Sequence, residues 1–312
     1  MAPAQLPAGA GGASPRSGPG SFRRGHPRRA FGDRRLVILV TGGDGQLGTA
    51  FRRVLPKAYF TDASDLDVTR TDALAAALEE WRPEAIINCA AYTAVDRAEQ
   101  EEERATAVNG AAVGVMAAHA AGRGIPFLTF STDYVFPGDA AAPYLESSPT
   151  GPLGAYGRSK LAGERAALGS YPEALVVRTS WLVSATHPNF LATVLRLAGA
   201  GRARVVDDQW GCPTMADDLA PAAWAALQAG VSGLLHLTNS GPTTWFRFAR
   251  AAVALAGLDS GRVVPCTTEA FPTPARRPAY SVLGSERRGP LGLPDLPHWE
   301  ASLPAVVEGL RR

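Results

Sequence analysis

Short runs of aliphatic residues alternate with stretches of helical spacing along most of this chain, and nothing else limits its fold as tightly. Residues 36–40 are apolar at every position, as in a strand covered on both faces. Helical spacing follows over 49–55, then a strand beginning over 58–60, a helix over 74–81 and a strand over 85–87. The alanine-rich stretch 104–122 reads as one long helix, 125–130 as a buried strand, 156–168 as a helix and 175–179 as a strand. Strands that alternate with helices need right-handed crossovers. The pattern therefore predicts an α/β fold, a doubly wound parallel sheet.

Beyond Trp181 the alternation loosens. Helical spacing returns over 190–197 and 219–229, a strand over 233–237, and proline-rich segments such as Phe271-Pro272-Thr273-Pro274 follow. The predicted organisation is a dinucleotide-binding domain over 35–181, with a later strand near 233–238 returning to its sheet. Residues 182–312 form mainly a smaller, partly interleaved substrate-binding lobe. Residues 1–34 differ from both. They hold seven Gly and five Pro, and their charges are arginines against the single Asp33. Such a basic tail cannot bury enough apolar surface to offset ordering entropy and is predicted to be disordered. A twin-arginine signal would need a longer apolar segment than the five aliphatics at 36–40.

Composition narrows the classes further. The 312 residues carry a net charge of +2 with 19% charged side chains, which suits neither a disordered chain nor a general nucleic-acid binder. No apolar run is long enough to span a bilayer. Cys89, Cys212 and Cys266 lie far apart and form no CxxC, which fits a reducing, cytoplasmic setting. The five histidines are scattered, so no metal cluster is expected.

The segment Thr41-Gly42-Gly43-Asp44-Gly45-Gln46-Leu47-Gly48 follows the first strand and opens the first helix, the context in which a glycine loop cradles a pyrophosphate in a Rossmann-like fold. Gly42 can make the tight turn, Gly45 admits backbone N–H groups to the phosphates, and Gly48 permits close helix–strand packing. Asp62, at the end of the second strand, can accept from an adenosine ribose. It would also repel a 2′-phosphate, and no arginine lies within the loop to offset it. This leans towards NADH or towards tolerance of NADH and NADPH. Asp67 and Val68 could flank the adenine instead.

Tyr156 and Lys160 stand at i and i+4, on one face of a helix. Only two of the 31 basic residues are lysines, Lys57 and Lys160, so a lysine inside a motif carries information here. A nearby ammonium is expected to lower the phenol pKa and to hold a nicotinamide ribose. Upstream, Phe130-Ser131-Thr132-Asp133 ends a buried strand on the side where such folds bind ligands, and Thr132 or Ser131 can offer a hydroxyl to a substrate oxygen.

Together these residues resemble the extended short-chain dehydrogenase/reductases and, more narrowly, the dTDP-4-dehydrorhamnose reductase family. The resemblance runs from about residue 36 to 283 through Gly45-Gln46-Leu47-Gly48, Asn88 to Glu99, Ser131-Thr132-Asp133-Tyr134-Val135-Phe136, Tyr156 to Glu164, Arg178-Thr179-Ser180-Trp181, Asp208 to Thr214 and Arg276-Arg277-Pro278. It implies Thr132, Tyr156 and Lys160 as the catalytic triad. It places Gly45, Gln46 and Leu47 on the pyrophosphate, and Asp62, Asp67 and Val68 on the adenosine half. Ala90, Ala91, Tyr92 and Phe130 would lie along the cofactor, and Asn109 would support the lysine through water. Asp133 and Trp181 would contact the sugar, and Gln209 and Arg277 would join the substrate site. The implied reaction is NADPH- or NADH-dependent reduction of the 4-keto group of a dTDP-linked 4-keto-6-deoxyhexose, dTDP-4-dehydro-L-rhamnose first among them. The implied partner is that nucleotide-sugar, with no nucleic acid or membrane; a homodimer is compatible. Some members are described with Mg2+, which no spacing here demands.

Departures and rivals remain. Cys89 stands where alanine is more usual in the family, and Tyr280-Ser281 where Asn-Ser often follows Arg-Pro. Nucleotide-sugar 4,6-dehydratases carry a second carboxylate after Asp133, where this chain has Tyr134. The alternatives are a 4-ketoreductase for a specialised, antibiotic-type deoxysugar, to which Tyr280 gives room, and a non-catalytic cofactor-binding regulatory subunit, against which the intact Tyr–Lys pair speaks.

Overall fold

The computed structural model describes residues 37–311; the basic segment 1–34 and its expected disorder lie outside them. Six strands form one parallel sheet: β1 (Ile38–Thr41), β2 (Tyr59–Thr61), β3 (Ala85–Asn88), β4 (Phe127–Thr132), β5 (Leu175–Thr179) and β6 (Gly233–His236). Their spatial order is β6-β5-β4-β3-β1-β2, and every neighbouring pair is parallel. The chain runs from β1 out to the edge strand β2, then crosses back to β3 on the other side of β1. That reversal opens a crevice beyond the carboxyl ends of β1 and β3.

A row of polar side chains marks this end of the sheet. The Thr41 hydroxyl donates to Asn88 Oδ1 at 2.7 Å, and Asn88 Nδ2 donates to Thr129 Oγ1 at 3.0 Å. The row joins β1, β3 and β4, so the loops that leave them start from a fixed frame. Below it the strands are apolar on both faces, as their unbroken aliphatic runs require. Leu39, Ile86, Phe127 and Val176 pack with Leu74 and Leu78 of the helix Thr71–Trp81 and with Met116 of the helix Ala112–Arg123.

The stretch expected to be one helix over 104–122 is divided. Glu102–Thr106 is α-helical, Ala107–Ala111 is a π turn, and Ala112–Arg123 resumes the α-helix. The π turn holds one extra residue, and it is the carbonyl of Asn109 that pushes outward. A Cβ on Gly163 of the facing helix would stand 2.0 Å from that oxygen, so glycine there leaves room for it.

The remaining chain builds a smaller C-terminal region from two-stranded ladders and helices. Leu182–Val183 pairs with Thr214–Met215, Ala203–Val206 with Val263–Cys266, and Trp210–Gly211 with Thr243–Thr244. Helices Phe190–Ala200, Trp245–Leu255 and Trp299–Leu310 close over them around Phe248 and Leu303. Between these pieces the chain returns to the main sheet as β6, so the two regions are interleaved. Among the described residues no helix is long and apolar enough to cross a membrane, and no three His, Cys, Asp or Glu side chains gather as metal ligands would.

Candidate active site

A cleft of about 830 Å³ lies beyond the carboxyl ends of the strands, between the sheet and the C-terminal region. The glycine loop forms one end of it. Gly42 has φ +65°, and a Cβ there would meet the Ala90 backbone nitrogen at 2.5 Å. A Cβ on Gly48 would fall 2.1 Å from the Gly42 carbonyl oxygen. These two glycines let the loop fold against its neighbours, as expected. Gly45 differs. Its nearest obstacle is the Gly42 oxygen at 3.4 Å, and it faces the cleft with Gln46 and Leu47 at the amino end of α1 (Gln46–Val54). An open backbone surface at a helix amino terminus suits a pyrophosphate. On this observation the residues fit a nicotinamide dinucleotide.

The other end is built by β4 and by α2 (Ala155–Ser170), the helix that carries the Tyr–Lys pair. Ser131, Thr132, Asp133, Tyr156 and Lys160 all line the cleft there. The Thr132 hydroxyl donates to Asp133 Oδ1 at 3.0 Å and lies within hydrogen-bonding reach of the Tyr156 phenol. Burial pushes the Tyr156 phenol up to about 12, against the lowering effect of Thr132. Burial also brings the Lys160 ammonium down to about 8, partly opposed by Glu164 and Cys89. The ammonium was expected to lower the phenol pKa; in this structure burial raises it, the Asp133 carboxylate adds to the rise, and the lowering comes from Thr132. Asp133 is buried too, and burial pushes its carboxyl up to about 7 against the lowering effect of the nearby Ser281 and Thr132 hydroxyls. Its Oδ2 is buried without a partner among the described residues.

Trp181 forms the opposite wall. Its φ is +48°, an uncommon backbone for a bulky residue. The indole stacks on Trp245 with centroids 3.6 Å apart, and Phe190 tilts onto the same Trp245 ring. A Cβ on Gly211 would stand 2.4 Å from the Trp181 ring, so glycine gives the indole its seat.

Several candidate residues line the cleft and several do not. Ala91, Phe130, Trp181, Gln209 and Arg277 join the loop and triad residues on its surface. Asn109 lies behind it. The Asn109 side chain accepts from the Tyr92 amide at 2.9 Å and donates to the Tyr92 carbonyl at 3.0 Å and to Ser159 Oγ at 2.9 Å. Both amide hydrogens are thus engaged in pinning the loop after β3, with Ala90 and Tyr92, to the catalytic helix. Asp67 sits in a local turn, its carboxylate taking the Thr69 amide and hydroxyl, which hold its pKa down. Val68 packs into the core. Asp62 accepts from the amides of Asp44 at 2.9 Å and Ala63 at 2.6 Å. The Arg277 guanidinium grips Asp96 through two bonds of 3.0 and 2.9 Å and thereby clasps the C-terminal region to the loop after β3. Tyr280 packs on Tyr144, away from the residues that line the cleft.

Sequence reasoning missed the segment that leads into the helix at Phe190. His187 Nε2 lies 2.7 Å from the Asp44 carbonyl, and Asn189 Nδ2 donates to Gln46 Oε1 at 3.4 Å, so this segment reaches across to the glycine loop. The only hint was Asn189 itself, a good N-cap ahead of a helical run.

This fold and site define an NAD(P)H-dependent oxidoreductase of the extended short-chain dehydrogenase/reductase class. The family model described as "RmlD substrate binding domain" matches residues 36–312. The chain belongs to the dTDP-4-dehydrorhamnose reductase family. It is 45% identical to the dTDP-4-dehydrorhamnose reductase of Streptomyces griseus, over 85% of this chain and 91% of that protein. It is also 45% identical to a probable dTDP-4,6-dihydroxy-2-methyloxan-3-one 4-ketoreductase of Streptomyces antibioticus, over 85% and 92%. The crystal structure of a dTDP-4-dehydrorhamnose reductase from Clostridium acetobutylicum superposes with a TM-score of 0.86 at 36% identity, covering 89% of this chain and all of that one. The enzyme of that name from Bacillus anthracis, solved with NADP, gives 0.82 at 34% identity, over 89% and 98%.

Proposed function

We propose that this chain reduces the 4-keto group of dTDP-4-dehydro-L-rhamnose to give dTDP-L-rhamnose, with Thr132, Tyr156 and Lys160 as its catalytic residues. The observation that carries the reading is the convergence of these three and Asp133 on one cleft whose far end is an open glycine loop. Gly45, Gln46, Leu47 and Phe130 would hold the dinucleotide, and NAD(P)H when bound supplies the hydride.

The residues of the chain do the rest. The Tyr156 phenol stays protonated across neutral pH because burial keeps its pKa near 12. It is therefore in the form that gives a proton to a ketone oxygen as that oxygen gathers negative charge. The Thr132 hydroxyl, which in this structure donates to Asp133 Oδ1, would turn its one hydrogen to the same oxygen, and Tyr156 and Thr132 lie close enough to act together. The Lys160 ammonium, still mostly charged at pH 7, contributes positive potential at the catalytic end. Asp133 and Trp181 meet the sugar hydroxyls and ring face. Arg277, held by Asp96, fixes the wall of the substrate end; the reading therefore gives it a positioning part.

A second reading, a 4-ketoreductase of a specialised deoxysugar, is favoured by the likeness to the Streptomyces antibioticus protein. Tyr280 no longer adds to it, because its ring lies against Tyr144. The test follows NAD(P)H absorbance with dTDP-4-dehydro-L-rhamnose and with other dTDP-4-keto-6-deoxyhexoses. Consumption with the first, reduced by about 10²–10⁴-fold in Tyr156→Phe, is the expected result. Faster consumption with another sugar selects the second reading. Cofactor binding without consumption of any sugar would return the chain to a regulatory part.

A further inference from the structure

Asp44, at the tip of the glycine loop, is a junction. Its amide donates to Asp62 Oδ2 at 2.9 Å, and its carboxylate accepts from Arg52 Nη2 at 2.7 Å. Arg52 lies two turns into α1 and folds back over the loop. Its Nε donates to the Gly43 carbonyl at 3.3 Å, and its guanidinium carbon sits 4.4 Å from the centre of the Phe60 ring on β2. The side chain is half exposed, and these bonds engage two of its five N–H donors. A guanidinium is thus fixed over Phe60, two residues before the Asp62 carboxylate that follows β2. That strand end is where a doubly wound fold receives the adenosine ribose once the pyrophosphate lies on the loop. The sequence offered no arginine inside the loop, and on that ground a 2′-phosphate looked disfavoured. Seven residues beyond Gly45, the helix supplies one from outside it.

The carboxylates are arranged to match. Asp62 is occupied by two backbone amides and so presents a partly neutralised face to the ribose. Asp44 is far more exposed than Arg52 and sits on the guanidinium as a carboxylate anion sits on any arginine. A phosphate monoester has the same planar-pair preference and a higher charge. We propose that Arg52 is the residue that admits the 2′-phosphate of NADPH, its guanidinium exchanging the Asp44 carboxylate for the phosphate while Phe60 and the Gly43 carbonyl hold it in place. Arg52 then favours NADPH, and Asp44 opposes it by competing for the same donors. NADH, which brings no second anion, leaves the Arg52–Asp44 pair intact.

This inference rests on the oxidoreductase reading above, and its test separates the two. Protein fluorescence is titrated on the full chain with NADPH, NADH, 2′,5′-ADP and 5′-ADP. Arg52→Gln is expected to raise the dissociation constants of NADPH and 2′,5′-ADP about tenfold, with NADH and 5′-ADP altered less than about twofold. Asp44→Asn is expected to tighten NADPH and leave NADH nearly as it was. Salt should weaken NADPH binding to the unaltered chain more than to Arg52→Gln. Equal losses for NADPH and NADH in Arg52→Gln would make the arginine a loop brace and overturn the proposal, as would no loss for either. If the unaltered chain bound neither dinucleotide, the oxidoreductase reading itself would fall, and this proposal with it.

Discussion

Replacing Lys160 with methionine should make the protein more stable and inactive at once. The side chain is 5% exposed, and burial brings its pKa from the ordinary 10.5 down to about 8. A depressed lysine binds its proton less tightly folded than unfolded. Below pH 8 both states carry the charge, and the whole cost of burying it, about 3 kcal/mol from that displacement, weighs on the fold. Between about 8 and 10.5 the unfolded chain keeps a proton that the folded chain has released, so stability rises with pH. Methionine fills a similar volume without the charge. It does not orphan Glu164, which keeps its buried bonds to Arg178 at 2.8 and 2.6 Å. Lys160→Met is therefore expected to gain about 1–3 kcal/mol at pH 7, the attraction to Glu164 being already contained in the net displacement. Urea unfolding of both proteins at pH 7 and pH 10 measures it. The gain should shrink at pH 10, while NAD(P)H turnover falls by at least about 10²-fold at either pH. A variant less stable at both pH values, or one whose gain is the same at both, would refute the reasoning.

Two further outcomes follow from contacts at the site. Asn109→Ala removes three buried hydrogen bonds to Tyr92 and Ser159, and should lower the unfolding free energy by about 2–4 kcal/mol in urea titration. Gly211→Ala sets a methyl group 2.4 Å from the present Trp181 ring position, so the Trp181–Trp245 stack must shift. A changed tryptophan emission spectrum and a KM for the sugar raised about tenfold, with cofactor affinity kept, are expected.

How much of this was legible beforehand depended on whether a feature is local. The apolar runs at β1, β3, β4 and β5 and the glycine loop act through neighbours in the chain, and their strands fell within a few residues of where the pattern put them. The Tyr156–Lys160 spacing is a property of one helix turn, and it held. The π turn at Asn109 left no trace, because one inserted residue in an alanine-rich helix does not disturb its composition. Its partner, Gly163, is 54 positions away in the chain, and only packing joins them. Arg52 drew no notice in the sequence, because it lies beyond the loop and its reach back over Gly43 and Asp44 appears only in the folded chain. Arg277 came forward for the substrate site by resemblance; it lines the cleft, and its bonds to Asp96, 181 positions away, were beyond the reach of the sequence. The pKa values went the opposite way for Tyr156 because spacing shows which charges are near and says nothing of how much water is gone.

The late return of β6 has a consequence for biosynthesis. Tyr156 and Lys160 leave the ribosome long before His236, the last residue of the strand that covers β5. At roughly 5–20 residues per second, several seconds pass in which β5, buried along all five of its residues in the finished molecule, offers an open backbone edge to solvent. Nascent chains stalled in that interval would pair with one another most readily there, and any truncation before residue 233 would make that transient state permanent.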